Sequence, residues 1–191
     1  MAKKKKRYRP LDPFDAFVNA WGFHSAATVL DKRKETNVFA YPVMVNGAFA
    51  LELYIKCVHY VRRRRSKKKT FGHELPMLFN NLSKSDKSRI QYHLDRVLEK
   101  HPLTVQMIES GILLDIDSIL ARADGMFDRQ RYWHEHPPFG RDASGRAASA
   151  GVEPLTNALM LFLLELRPEW NERFCQFTQN DTPFSHIQLP T

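Results

Sequence analysis

The stretch Val43-Met-Val-Asn-Gly47-Ala-Phe-Ala-Leu-Glu52-Leu-Tyr-Ile55 constrains the fold more than any other part of this chain. At about 100° per residue, Val43, Met44, Val45, Ala48, Phe49, Leu51, Leu53, Tyr54 and Ile55 cover nearly the whole circumference of a helix. A helix apolar on every side is central, with other helices laid around it. Its continuation is different in kind: Glu52, Lys56, His59 and Arg63 fall on one stripe. A charge carried into a buried helix has to be paired or put to use. The pattern predicts this helix from about Tyr41 or Pro42 to Arg63.

The rest of the chain reads the same way. No stretch alternates apolar and polar residues cleanly, so strand signals are nearly absent. A first helix starts at Asp12, which can cap it, with Pro13 at the first position and Phe14, Phe17, Val18 and Trp21 at helical spacing. A short helix covers about 73 to 82. Ser83 caps the next, with Asp86 three residues on and the stripe Ile90, Leu94, Val97 and Leu98, and Pro102 closes it. Leu113, Ile116, Leu120, Ala123 and Phe127 share a face of another, with Asp117, Asp124 and Arg131 along its edge. Residues 137–153 are rich in Gly, Ser, Ala and Pro and read as a mobile loop. A last helix opens at Pro154, turns Leu155, Ala158, Leu159, Phe162 and Leu163 inward, and is interrupted at Pro168. The expected fold is a single all-α domain over 12–179, an up-and-down bundle of five to six helices. A basic tail of residues 1–11 precedes it and a frayed tail of 180–191 follows.

Charge narrows the partners. Lys3 to Lys6, Arg7 and Arg9 form one basic tract; Arg62, Arg63, Arg64, Arg65, Lys67, Lys68 and Lys69 form a second. Together they hold 13 of the 29 Lys and Arg, which leaves 16 against 21 Asp and Glu. The body is thus net acidic and the basicity sits on two appendages, as for an anionic partner met at particular places. RNA or another nucleic acid is the natural candidate, because phosphate neutralisation supplies much of such affinity. For the N-terminal tract the alternative is a solubilising tail.

Other classes lack their signals. The longest apolar run, Leu159 to Leu164, is too short for a bilayer, and a lysine run with no apolar stretch behind it is not a secretory signal. Cys57 and Cys175 make neither a metal spacing nor a disulfide framework, and Cys57 reads as a small core residue. A cytoplasmic protein with no metal and no cofactor is expected. His24, His93, His101 and His186 read as polar or terminal positions without a special role.

The stretch Ala50-Leu-Glu52-Leu-Tyr-Ile-Lys56, the helix start Gly72-His73-Glu-Leu75 and the Arg131-Tyr132 turn after Asp117-Ser118 resemble, in order and spacing, the HEPN domain family over about residues 40–135. The resemblance implies an up-and-down helical bundle and frequent homodimers. In many members it implies metal-independent RNA cleavage of a toxin or defence type, with a cognate antitoxin as partner for a toxin. Catalytic members use an Arg-x4–6-His motif helped by a polar residue on an earlier helix. Arg131-x4-His136 has that spacing, as does Arg129-x6-His136. A histidine titrates near neutrality and can act as acid or base, while an arginine presents a fork to phosphate. Glu52 and Lys56 match the earlier polar pair and are expected to meet Arg131; His73, Asp117 and Tyr132 are supporting candidates. Tyr132 stands where the family usually has Asn, Asp or His. The alternative is therefore a non-catalytic module that binds nucleic acid or protein, in which Arg131 pairs with Asp117 or Glu52.

Overall fold

The computed structural model describes residues 12–33, 36–62, 72–102, 104–124 and 150–180, and of 36–39 and 177–180 the backbone alone. Within them the chain is all-α. The helices are α1 Pro13–Asp31, α2 Thr36–Val61, α3 Leu75–Asn80, α4 Lys84–Lys100, α5 Thr104–Glu109, α6 Ile116–Ala123, α7 Val152–Leu166 and α8 Glu169–Asn180. Eight elements stand against five to six expected. The excess comes from α5, which buries no residue and so leaves no stripe in the sequence, and from the break at Pro168, which separates α8 from α7.

Helix α2 takes the central place. It packs along α1 on one side and α7 on another, while α4 lies on α7 and α3 on α6. Ala50, Leu51, Tyr54, Ile55, Cys57 and Val58 are fully buried in one core shared with α1, α3, α4, α6, α7 and α8. The Cys57 thiol is part of that core: it donates to the Pro13 carbonyl at 3.3 Å, and burial pushes its pKa up to about 12. Gly47 lets α7 come close, since a Cβ there would stand 2.7 Å from Cγ1 of Val152. The start of α2, at Thr36, lies about a turn and a half earlier than expected. Pro42 lies inside the helix, where it withholds one N–H from one carbonyl without ending the helix.

Caps fix the other ends. Asp12 accepts from Phe14 N–H at 3.0 Å and starts α1; Ser83 accepts from Asp86 N–H at 3.1 Å and starts α4. Gly151, in the left-handed region at φ 82°, starts α7 two residues before Pro154. Helix α6 ends at Ala123, short of the expected Phe127, because Asp124 takes an extended conformation. Its carboxylate instead accepts from Leu75 N–H at 2.8 Å and so caps α3. Leu113, expected on the apolar face, is exposed ahead of this helix. Phe14, Phe17 and Trp21 of α1 close the core against Trp170 and Phe174 of α8 with ring centroids 5.0–5.6 Å apart. No helix among the described residues is long and apolar enough to cross a membrane.

His24 overturns the expectation of a polar surface position. It lies on the inner face of α1, 8% exposed, with its ring edge-on to Tyr54. Burial disfavours the imidazolium and lowers its pKa from 6.5 to about 4.

Two outcomes follow from this packing. Leu51→Ala should lose ~2–5 kcal/mol in a urea melt, and Leu53→Ala less, because Leu53 is only partly buried at the core's edge. The second is acid sensitivity. As pH falls, the unfolded chain protonates His24 first, near 6.5, while the folded chain resists to about 4. The stability tied to the neutral ring is therefore fully present above pH 6.5 and lost between 6.5 and 4, by up to about 3 kcal/mol. Urea midpoints at neutral and mildly acid pH should show the fall, and it should shrink in His24→Phe.

Candidate nucleic-acid interface

The polar stripe of α2 leaves the core at its C-terminal end and meets α3 and α4 there. Glu52 and Lys56, one turn apart, pair at 2.6 Å with side chains only 13% and 15% exposed. The same carboxylate accepts from Nδ1 of His73 at 3.0 and 3.1 Å. His73 itself is 80% exposed. With Nδ1–H donating to a carboxylate, Nε2 remains as the acceptor of the neutral ring. One turn further on, buried His59 donates through Nε2 to the Leu78 carbonyl at 3.0 Å and ties α2 to α3.

Arg62 follows the last residue of α2, at the root of the second basic tract. Its Nε and Nη2 donate to Oδ1 of Asp86 at 3.0 and 2.6 Å. Asp86 is 1% exposed, and its other oxygen accepts from the Ser83 hydroxyl at 2.6 Å. A buried carboxylate is tolerable only when its lone pairs are filled this way. The cap of α4 thus also anchors an arginine from α2.

A second anchored arginine lies one turn along α4. Arg89 donates through Nε to both oxygens of Glu165 on α7, at 2.8 and 2.9 Å, and Nε2 of His93 donates to the same carboxylate at 2.8 Å. These bonds, that from Arg89 first, hold the Glu165 carboxyl below its ordinary range. The Arg89 guanidinium lies 4.2 Å over the ring of Tyr92, and Arg96 donates to the Tyr92 hydroxyl at 3.2 Å. Tyr92 is 41% exposed.

Between the two arginines is an open cleft of about 430 Å³, lined also by Ser85, Ser88 and Tyr92 with Phe162 at its base. Carboxylates hold two guanidinium forks in place without taking all their donors, serine hydroxyls line the cleft with them, and Tyr92, 41% exposed, lies under Arg89 with Arg96 5.7 Å from its ring. Each arginine is neutralised by its own carboxylate. Net attraction for an anion would thus have to come from cations outside the lining, such as Arg96 beside Tyr92, and the sequence that continues from Arg62 is basic.

The expected site residues divide into three groups. Glu52, Lys56 and His73 come together. Asp117 does not join them; it lies exposed on α6. Arg63, Arg64, Arg65, Lys67, Lys68, Lys69, Arg131, Tyr132 and His136 lie outside the described residues, as do most of the 137–153 loop and both tails. The described partners of Glu52 are Lys56 and His73. Arg89, Tyr92 and Glu165 were not foreseen. The signal was there: Ser85, Ser88, Arg89, Tyr92 and Arg96 recur at helical spacing on the polar side of α4, opposite the apolar stripe. Among the described residues no group of three or more His, Cys, Asp or Glu is placed to hold a metal ion. No family model, no curated protein and no solved structure matches this chain.

The anchoring has a measurable signature. Asp86→Ala should destabilise the fold by ~1–3 kcal/mol, the range for losing a buried hydrogen-bonded group. Arg62→Ala should add little in that background, so a double-mutant cycle by urea melts should show coupling between them.

Proposed function

We propose that this chain is an RNA-binding module of the HEPN-like, up-and-down bundle type, which holds single-stranded RNA in the cleft between the end of α2, α4 and α7. One observation carries the reading. Two arginines fixed by carboxylates flank an exposed tyrosine at the root of a seven-charge basic tract. The tract supplies long-range attraction, the fixed forks supply phosphate contacts, and Tyr92 supplies a face on which a base stacks. Single strands suit this surface because their bases are free to stack. The HEPN-like assignment rests on the order of the α2 and α3 motifs and carries a homodimer with it.

Fluorescence anisotropy with a mixed-sequence single-stranded RNA separates the parts. Replacing Arg62 to Arg65 with serine should lower the slope of log affinity against log salt by up to ~3, at about 0.7 per phosphate contact. Tyr92→Ala should weaken binding by ~1–3 kcal/mol and leave the slope unchanged. An unchanged affinity in Tyr92→Ala would assign binding to the tract alone.

A second reading, metal-independent RNA cleavage, is favoured by the Glu52–His73 contact. A carboxylate that orients an imidazole whose other nitrogen is open makes a serviceable general acid or base. In this reading His136 and His73 move protons, Arg131 and Lys56 hold the phosphate, and the 2′-OH attacks. Cleavage should then persist in EDTA and leave a 2′,3′-cyclic phosphate. His136→Ala or His73→Ala should slow it by ~10²-fold or more, followed on a labelled RNA by gel. RNA left intact by wild type and both variants alike removes this reading and leaves the binding module.

A further inference from the structure

On the opposite end of α7 from the RNA cleft lies a separate cavity of about 260 Å³, smaller than ordinary ligand pockets. His24, Ala27, Thr28 and Asp31 of α1 form one wall; Val43 and Gly47 of α2, Met107 of α5 and the first turn of α7 form the rest. We propose that it binds a small amino alcohol, an ammonium head on a short apolar chain that ends in a hydroxyl.

The lining dictates this class. No lysine or arginine lines the cavity; one imidazole does, His101, with its Nε2 3.8 Å from the Glu153 carboxylate, against the two exposed carboxylates of Asp31 and Glu153. That arrangement attracts a cation and repels phosphates and carboxylates. Val43, Ala27 and Met107 offer an apolar middle. Both threonine hydroxyls donate back to their own helices, Thr28 to the His24 carbonyl at 3.1 Å and Thr156 to the Val152 carbonyl at 3.0 Å. They can only accept from a ligand.

His24 supplies the inner end. It lines the cavity, is more than nine-tenths buried, and its ring makes no hydrogen bond with the protein, only the edge contact with Tyr54. A ring nitrogen with no protein partner can form a hydrogen bond into the cavity, so a polar atom of a ligand fits against it. Its ring is neutral at physiological pH, with one donor and one acceptor nitrogen. A hydroxyl, itself donor and acceptor, is the matching partner. A second ammonium would have to be desolvated there. The volume admits fewer than about ten non-hydrogen atoms, at roughly 30 Å³ for a water-sized share of liquid. The inference does not depend on RNA binding.

Isothermal titration calorimetry on the full chain tests it with four probes of similar length: aminopentanol, pentylamine, pentanediol and hydroxypentanoate. Aminopentanol should bind best, pentylamine about two- to tenfold more weakly for want of one hydrogen bond, and the neutral diol more weakly still. The anion should not bind. Asp31→Asn, an exposed site, should weaken both amines. His24→Phe should erase the preference of aminopentanol over pentylamine. Ala27→Leu should abolish binding by filling the cavity; where it lowers helicity by circular dichroism, Val43→Phe takes its place. Absence of heat with aminopentanol, equal binding of all four probes, or unchanged binding in the cavity-filling variant overturns the proposal.

Discussion

The burial of one long face of α2 is the constraint from which the rest follows. Met44, Ala48, Leu51, Tyr54 and Ile55 are buried, while Val43, Val45, Phe49 and Leu53 are only partly covered; α1 and α7 close over the buried face and Gly47 lets α7 approach. The helix then carries Glu52, Lys56, His59 and Arg62 toward its C-terminal end. Each of these needs a partner because its surroundings exclude water to a different degree. Lys56 and His73 meet Glu52, a carbonyl of α3 meets His59, and Asp86 of α4 meets Arg62. The placement of α3 and α4 is thus coupled to the polar end of α2 by three separate contacts. Packing of apolar surface alone would leave those helices free to slide, since it is non-directional.

Asp86 shows how one buried carboxylate does two tasks. It belongs to the capping turn of α4, where Ser83 satisfies Asp86 N–H, and it fixes the guanidinium of Arg62. Removing Arg62 would leave Asp86 a buried charge short of donors, a worse state than an apolar pair. The pairing therefore serves position more than stability. It holds the first cation of the basic tract at one edge of the cleft, where a free arginine would have to be ordered by its ligand.

Much of this was legible in the sequence and some was not, for physical reasons. The 3.6 period of Ile90 and Leu94, the caps at Asp12 and Ser83, and the break at Pro168 are local, and all are found. The meeting of Glu52 with His73 was half legible: the motif order brought both forward without pairing them, and Arg131, the expected partner of Glu52, lies outside the described residues. Helix α5 and the exposure of Leu113 could not be read, because neither leaves a buried stripe. His24 was misread because it is a polar residue on an inner face, one helical turn from Ala20 and Ala27, and only the tertiary packing says that the face is closed. Asp124 was placed on the edge of its helix, where it can meet a neighbour, but a carboxylate that caps a helix 49 residues away has no local signature to say which.

Helix α7 relates the two ends of the molecule. Its 15 residues span about 22 Å at the usual helical rise. The N-terminal turn carries Glu153 and the C-terminal turn lies beside Arg89 and Arg167. Glu153 thus complements the macrodipole at the N-terminal end, while at the other end Arg89 and Arg167 are offset by Glu165 and Glu169. The two openings differ in lining: Asp31, Glu153, His24 and His101 with apolar side chains at the N-terminal end, two carboxylate-paired arginines, serines and Tyr92 at the C-terminal end. The proposed small cation and the proposed polyanion would therefore meet different donor and acceptor sets along one helix, without a second domain.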